Sequence, residues 1–197
     1  MRRSVLAASA LALILFVAFV LLLFPSTDTI PFTVTGKKGE IEFRQYPPLV
    51  LATVNNSEGD NGFNLLFAYI TGNNKPHTSI SMTAPVIMSQ QIAMTAPVLS
   101  SGGSMSFVMP AGKIRDEIPD PLDNRVTITT VPGREIAVVR FSGYASQKDI
   151  DAETSRLLEG LANANITPAG QPFLMRYNPP WTPGFLRRNE VAIEIQH

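Results

Sequence analysis

The sequence contains no cysteine, only two histidines and no excess of either charge, and each absence excludes a class of function. Without cysteine, the chain has no disulfide, no thiolate nucleophile, no thiolate-bound metal and no lipid-modified cysteine. Its 16 basic and 16 acidic residues balance, so it lacks the basic surface of a nucleic-acid-binding protein. His77 lies in a proline-flanked loop and His197 is the last residue, which argues against a Ser-His-Asp site and a two-histidine metal site.

The N-terminus contains the longest apolar run of the chain. VLAASALALILFVAFVLLLF, residues 5–24, follows Arg2 and Arg3 and is interrupted only by Ser9. As a helix it would rise about 30 Å, enough to cross a bilayer core. We therefore predict an uncleaved transmembrane anchor, with residues 1–4 in the cytoplasm and the rest of the chain periplasmic or otherwise extracytoplasmic. The alternative is a signal peptide whose cleavage releases a secreted protein.

The rest of the chain is predicted to form a linker, residues 25–39, and one domain, residues 40–197. Periodicity and capping signals predict the same order of strands, helix and strands twice. The first round contains a strand pair broken by Pro-Pro, 41–54, a helix, 61–72, the two MTAPV segments, 82–86 and 94–98, and a strand, 105–110. The second contains strands 125–131 and 135–141, a helix capped by Ser146, 147–164, and strands 173–177 and 190–195. This order predicts an α+β fold, with a curved antiparallel sheet covered by two helices.

The repeated Met-Thr-Ala-Pro-Val segment is the most unusual feature of the first round. An offset of twelve residues preserves the two-residue period of a strand, so a hairpin of the two copies would place Met82 and Met94 on one side of the sheet. The two methionines would then either form the floor of a pocket or fill the core. Considered alone, they favour the core, because methionine usually fills irregular gaps there.

The segment YNPPWTPGFLRRNEV, residues 177–191, is predicted to form a rigid extended corner around the single tryptophan. Arg187 and Arg188 lie close in sequence to Glu190, which favours an ion pair on a solvated face. The alternative is that one arginine binds a ligand carboxylate through two hydrogen bonds. An apolar, methionine-lined cavity with cations at its mouth would suit a flat amphipathic ligand such as a porphyrin.

These segments resemble the SOUL heme-binding family. IEFRQYPP, GFNLLFAYITGNN, the doubled I-x-MTAPV, MSFVMP, AVVRFSG and YNPPWTPGFLRRNEV occur in the family's order, from about Glu40 to Ile195. The resemblance implies a distorted antiparallel β-barrel with two flanking helices, pseudo-duplicated and similar to gyrase-inhibitor-like domains. It also implies binding of heme or other tetrapyrroles on an apolar surface with basic residues near the propionates.

The resemblance further implies which residues would contact the ligand. Met82 and Met94 occupy the family's Met-Thr-x-Pro-Val segment, and helix residues would face them. If heme iron is ligated, His77 or a methionine sulfur is the available donor. The implied binding residues are Met82, Met94, Phe63, Phe67, Ile70, His77, Arg187 and Arg188.

The leading hypothesis is a membrane-anchored, non-catalytic tetrapyrrole-binding protein that acts as a carrier, buffer or scavenger. Heme is its expected ligand, although the fold does not require it. An alternative is an interaction or small-molecule-sensing module of the gyrase-inhibitor-like fold. The least favoured alternative is a hydrolase with Glu190 or Glu42 as the general base.

Overall fold

The computed structural model describes residues 29–55, 60–75 and 90–196. Two α-helices, eleven strands and two short 3₁₀ turns follow one another along these residues. They are β1 Thr33–Lys38, β2 Ile41–Tyr46, β3 Leu49–Val54, α1 Asp60–Thr71, β4 Asn74–Lys75, β5 Val98–Ser101, β6 Ser104–Val108, a turn Arg115–Glu117, β7 Asp120–Pro121, β8 Val126–Val131, β9 Arg134–Phe141, α2 Gln147–Ala162, β10 Thr167–Arg176, a turn Gly184–Leu186 and β11 Asn189–Gln196.

Nine strands form one antiparallel sheet in the order β1-β2-β9-β11-β10-β5-β6-β3-β8, and β4 and β7 form a separate pair. The order relates the two rounds of the chain by an approximate two-fold correspondence, with β5 and β10 paired at the centre. β2 and β8, which open the two rounds, each pair with a strand of the other round. The predicted α+β class, the antiparallel sheet and the duplicated pattern are therefore confirmed.

The expected β-barrel is wrong, because the sheet does not close. Among the described residues, β1 and β8 are the two edges of the sheet and do not pair with each other. Pro47 and Pro48 separate β2 from β3, and these two strands join different parts of the sheet. Prolines cannot donate to a strand ladder, so the chain turns at this point instead of continuing the pairing.

Both helices cover the same face of the sheet, which we call the helix face. Ser146 caps the start of α2. Its hydroxyl accepts a hydrogen bond from the Asp149 N–H, and the Asp149 carboxylate accepts one from the Ser146 N–H. Leu157 and Leu161 of α2 are fully buried against β9, β10 and β11. Leu66 of α1 is equally buried against the strands of the other half. Apolar stripes on the two helices thus account for two of the three core clusters.

The third core cluster lies on the opposite face of the sheet, which we call the inner face. Side chains alternate along β10, so Leu174 packs under α2 while Met175 packs on the inner face. Ile30, which precedes β1, is 2% exposed and joins this cluster with Ala96 and Tyr177. The first described residues of the chain are therefore part of the domain core.

Three expectations from the sequence differ from the structure or fall outside it. Residues 29–38, expected in the linker, form an entry segment whose Ile30 is buried, followed by β1. The second MTAPV copy is not a strand up to Pro97, because the Thr95 hydroxyl donates to Val108 O and the preceding Ile92 N–H donates to Ile70 O. The first copy, 82–86, lies outside the described residues, so the predicted hairpin stays a prediction.

The predicted anchor, residues 5–24, also lies outside the described residues. Within the described parts of the chain, neither helix is long and apolar enough to span a membrane.

Candidate functional site

One concave surface in the described structure is a groove of about 470 Å³, which we call the main groove. One side of the groove is formed by Pro47 and Pro48 with the start of β3, residues 47–50. The other side is formed by the segment after β6, residues 109–116. Ile30 and Thr130 complete its lining. Small-molecule sites occupy roughly 300–1,000 Å³, so the main groove is large enough to hold an organic ligand.

The floor of the main groove is apolar and well packed. Ile30, Val50 and Met109 are each less than 5% exposed, and they belong to the core clusters of both faces of the sheet. The wall turns at Gly112, whose φ of 78° is left-handed and allows the Lys113 N–H to reach Pro110 O at 3.3 Å. A rigid apolar floor of this kind favours contact with a flat ligand face.

The charged side chains that line the main groove are the cations Lys113 and Arg115 and the carboxylate Asp116. Lys113 Nζ lies 2.9 Å from a Glu117 carboxylate oxygen, and both side chains are nearly half exposed. Arg115 bonds to Ile118 O and pairs with Asp120. Exposed ion pairs contribute little stability, so an incoming ligand carboxylate can compete for these cations.

A second groove, of about 440 Å³, lies on the other side of the Pro-Pro corner. It is shallow and is lined mainly by Phe32, Tyr46 and neighbouring prolines. The Tyr46 side chain is 5% exposed, and its hydroxyl has no hydrogen-bond partner among the described residues. Burial raises the pKa of Tyr46, and the neighbouring Tyr177 and Arg44 side chains oppose this rise only in part.

A fully buried carboxylate, Glu190, is the centre of the polar structure on the inner face. Arg44 donates two hydrogen bonds to it, at 2.7 and 3.1 Å, and Arg188 donates two more, at 2.9 and 2.7 Å. The Tyr177 hydroxyl donates a fifth, at 2.8 Å. We call these four residues the Glu190 cluster, and Glu42 extends it by pairing with Arg44.

The contacts in the Glu190 cluster keep its carboxylate ionised. Burial opposes ionisation, but the hydrogen bonds and charge of Arg44, together with Arg188 and Tyr177, outweigh burial and lower the pKa of Glu190. Burial and the adjacent Glu190 charge raise the pKa of Tyr177. A carboxylate that accepts five hydrogen bonds and has a lowered pKa is a poor general base, so the cluster does not support the hydrolase hypothesis.

The connection between β10 and β11 forms an exposed aromatic surface. Trp181 is 74% exposed and Phe185 80% exposed, and Leu186 and Tyr144 are exposed beside them. We call these four residues the aromatic corner. Arg187 stacks 4.6 Å from the centre of the Tyr144 ring, which joins the two segments of the corner.

The implied binding residues that the structure describes fall into two groups. Four lie on α1 or on the chain between α1 and β5, and two arginines lie between β10 and β11. Phe63 and Phe67 stack on α1 with their ring centres 6.0 Å apart, and Phe63 and Ile70 pack in the cluster under α1. Met94 lies on the segment leading from α1 to β5 and is 37% exposed. Phe67 is also exposed, so Met94 and Phe67 are the two of these residues most open to a ligand.

The two predicted arginines belong to the other half of the molecule. Arg188 pairs with Glu190, as the favoured interpretation predicted, although the carboxylate is buried rather than solvated. Arg187 donates to Thr182 O and Pro180 O in the corner. Met82 and His77 lie outside the described residues. The implied site, including iron ligation by His77, therefore stays a prediction.

The sequence does not identify the lining of the main groove as a site. MSFVMP predicts a strand and resembles a family motif, but nothing in it predicts a binding role for Met109. Lys113 and Arg115 follow it in a polar loop, PAGKIRDE. The only sequence signal would have been this juxtaposition of an apolar strand end with two nearby cations.

The main groove suits the ring face and the propionates of a tetrapyrrole better than it suits a bond to the central metal. Its buried floor suits the flat apolar face of the ring, and Lys113 and Arg115 suit the propionates. Met109 contributes the one thioether of the lining, and none of the described lining residues is a histidine. These residues would hold the ring by its faces and carboxylates rather than by a strong axial bond.

A family model described as SOUL heme-binding protein matches residues 27–194 of the chain. No curated protein matches the chain significantly. The family match begins before β1, in agreement with the entry segment whose Ile30 is buried.

Several solved structures share the fold at low sequence identity. A hydrolase from Listeria innocua aligns with a TM-score of 0.53 and 10% identity, over 82% of this chain and 94% of that protein. The C-terminal domain of EcmrR aligns with a TM-score of 0.50 and 10% identity, over 79% of this chain and 96% of that domain. At this identity the likeness concerns the fold alone.

Proposed function

Because the chain belongs to the SOUL heme-binding protein family, we propose that it binds heme or another tetrapyrrole in the main groove without catalysing a reaction. The observation that carries this proposal is a groove of about 470 Å³ that has an apolar floor and includes Lys113 and Arg115 in its lining. The tetrapyrrole ring would lie on Ile30, Val50 and Met109. Its propionates would meet Lys113 and Arg115.

The chemistry of the lining supports carriage or buffering rather than turnover. Face contacts and exposed ion pairs allow release, whereas a strong axial ligand would retain the metal. The Glu190 cluster lies on the inner face with its carboxylate fully engaged. A role as a carrier, buffer or scavenger follows from such reversible binding.

The proposal includes the N-terminal anchor. The apolar run of residues 5–24 is long enough to cross a bilayer, and the two preceding arginines favour a cytoplasmic N-terminus. The binding domain would then lie in the periplasm or on the outer surface. Only four residues, 25–28, separate this run from Thr29, so the domain would remain close to the membrane.

A titration of the full-length protein in detergent micelles tests the binding site. Hemin and metal-free protoporphyrin IX are added in parallel, and absorbance in the Soret region is followed with micelles alone as the blank. We expect saturation at one equivalent for both ligands, with similar affinities, because the ring faces and propionates provide the contacts. A response that does not saturate would contradict the proposed function.

Two tryptophan variants on the edge strand β8 locate the binding site. Thr130 is exposed and lines the main groove, whereas the Thr129 side chain points to the opposite face of the strand. Thr130→Trp should weaken binding by about tenfold or more, a loss of about 1.4 kcal/mol, because the indole would fill the groove. Thr129→Trp is the matched control and should bind normally. Equal affinities for the two variants would place the ligand elsewhere.

A further inference from the structure

The aromatic corner exposes more apolar surface than an isolated side chain on an ordinary surface. Trp181 and Phe185 are 74% and 80% exposed, Tyr144 is 69% exposed and Leu186 is 47% exposed. Scattered exposed apolar residues need no explanation, but a contiguous group usually marks a contact surface. Neither groove of the candidate site includes any of these four residues.

Hydrogen bonds hold the corner rigidly without burying its rings. The Gly143 N–H donates to Gly184 O at 2.9 Å, which ties the β9–α2 segment to the β10–β11 connection. The Asn189 side chain, which is 3% exposed, donates to Gly143 O at 2.9 Å. Arg187 bonds to two backbone carbonyls of the same connection. The exposed rings are therefore displayed on a fixed backbone, which lowers the entropy lost on binding.

The two segments that form the corner, residues 177–188 and 142–146, contain no aspartate or glutamate. Their two cations are already bonded, because Arg188 pairs with the buried Glu190 and Arg187 donates to two backbone carbonyls. The exposed rings, rather than an unpaired charge, therefore distinguish this surface.

The chain enters the domain near the start of the β10–β11 connection, because Ala96 lies two residues before Val98, which pairs with Arg176. Thr29 forms a bridge with Ala96, and the Ile30 N–H donates to Ala96 O at 3.1 Å. Ile30 and Ala96 pack in the same cluster as Tyr177, the first residue of the β10–β11 connection. From Phe24, the last residue of the apolar run, an extended chain spans no more than about 18 Å to Thr29. A membrane anchor would therefore hold this end of the domain at the lipid surface.

We propose that the aromatic corner docks on the membrane, with Trp181 and Phe185 in the headgroup region of the bilayer. Tryptophan and phenylalanine favour the interface between water and hydrocarbon. This inference rests on the proposed anchor. It adds a second, oriented contact that fixes which face of the domain meets the lipid.

The single tryptophan of the chain makes the docking measurable. Full-length protein is reconstituted into liposomes of phosphatidylcholine and phosphatidylglycerol, with or without phosphatidylcholine brominated near the headgroup. Trp181 is the only tryptophan, so its emission reports the corner alone. We expect a blue shift and, with brominated lipid, a loss of about half the emission, because an interfacial ring lies about 5–10 Å into the headgroup and acyl boundary. Flotation of the liposomes measures membrane attachment independently.

Matched variants separate docking from anchoring. Phe185→Ser should keep flotation and reduce the quenching of Trp181, whereas Leu122→Ser, at an exposed apolar residue outside the corner, should change neither. Protein that floats with an unquenched, unshifted Trp181 overturns the docking and leaves the anchor standing. Protein that does not float overturns both. A blue shift without quenching that grows with protein concentration assigns the corner to a second copy of the chain and also overturns the proposal.

Discussion

The Glu190 cluster and the aromatic corner both draw residues from around the β10–β11 connection, yet they reverse the usual relation between hydropathy and burial. Glu190 is 0% exposed, whereas Trp181, nine residues earlier, is 74% exposed. In the cluster a carboxylate is buried because two arginines and a tyrosine satisfy it. In the corner an indole is exposed although the protein has three apolar core clusters.

Hydrogen bonds account both for the buried position of Glu190 and for the fixed backbone around Trp181. Burying an unpaired charge would be very costly, and Arg44, Arg188 and Tyr177 remove that cost for Glu190. The corner backbone is fixed by bonds from Arg187 and Asn189, so its rings need not pack inward to be ordered. Buried charge therefore serves the stability of the domain, and exposed aromatic surface is left for contact with something outside it.

The largest expected effect is the loss of the buried charge. Glu190→Gln leaves Arg44, which is 4% exposed, without its main counter-charge. We expect a loss of about 3 kcal/mol in the free energy of unfolding, measured by thermal unfolding of the full-length protein in detergent with circular dichroism. Glu194→Gln is the control on the same strand, because Glu194 is 43% exposed in its pair with Arg134 and should cost less than about 1 kcal/mol.

The difference in stability between the wild type and Glu190→Gln should depend on pH. The pKa of Glu190 is lower in the folded protein than its ordinary value of 4.5, so its ionisation stabilises the fold fully above about pH 4.5. That contribution is lost as the pH falls through the folded pKa. The difference in melting temperature between the wild type and Glu190→Gln should therefore narrow below pH 4.5. A constant difference would show that the buried charge does not account for the stability.

A smaller loss is expected from the hydroxyl that completes the Glu190 cluster. Tyr177→Phe removes a hydrogen bond to a charged acceptor, and we expect a loss of about 2 kcal/mol in the same thermal assay. Tyr69→Phe is the matched control, because the Tyr69 hydroxyl donates to a neutral carbonyl, Pro119 O, at 2.7 Å. Its loss should be about 1 kcal/mol. Equal losses for the two variants would show that the charge of the acceptor does not change the contribution of the hydrogen bond to stability.

Much of the fold could be predicted because its signals are local. Ser146 with Asp149 three residues later marks the start of α2, and the alternation in β9 marks its two buried faces. β1 was missed because it is an edge strand whose residues are nearly all exposed, so it has no apolar alternation. The open sheet also could not be predicted, since closure depends on pairing between distant strands.

The candidate site was harder to predict because its parts are distant in sequence. Arg188 and Glu190 are neighbours, and their ion pair could be inferred from sequence, but Arg44 lies 146 residues from Glu190. The main groove combines Ile30, Thr130 and residues 47–50 and 109–116, and none of these segments contains a chemical motif by itself. Only the folded sheet brings them together.

A more modest effect is expected where the corner backbone meets the Tyr144 ring. A Cβ added at Gly184 would lie 2.7 Å from Tyr144 Cε2, so Gly184→Ala must displace the ring and disturb its stacking with Arg187. We expect a loss of about 1 kcal/mol in thermal stability and a change in Trp181 emission. Gly103→Ala is the control for added bulk, because a Cβ at that turn would meet nothing within 4 Å. Its φ of 77° still disfavours alanine, so it should lose stability without changing Trp181 emission.

The smallest expected effect on stability is at the most exposed ring of the corner. Phe185 is 80% exposed, so Phe185→Ser removes almost no buried area and should change the free energy of unfolding by less than about 0.5 kcal/mol. Phe107→Ser, at a ring that is 2% exposed, should cost at least about 3 kcal/mol in the same thermal assay. A large loss at Phe185 would show that the ring supports the fold, and the corner would then no longer be free for an outside partner. A negligible loss, together with reduced quenching of Trp181 in brominated liposomes, would separate the role of the corner from the stability of the domain.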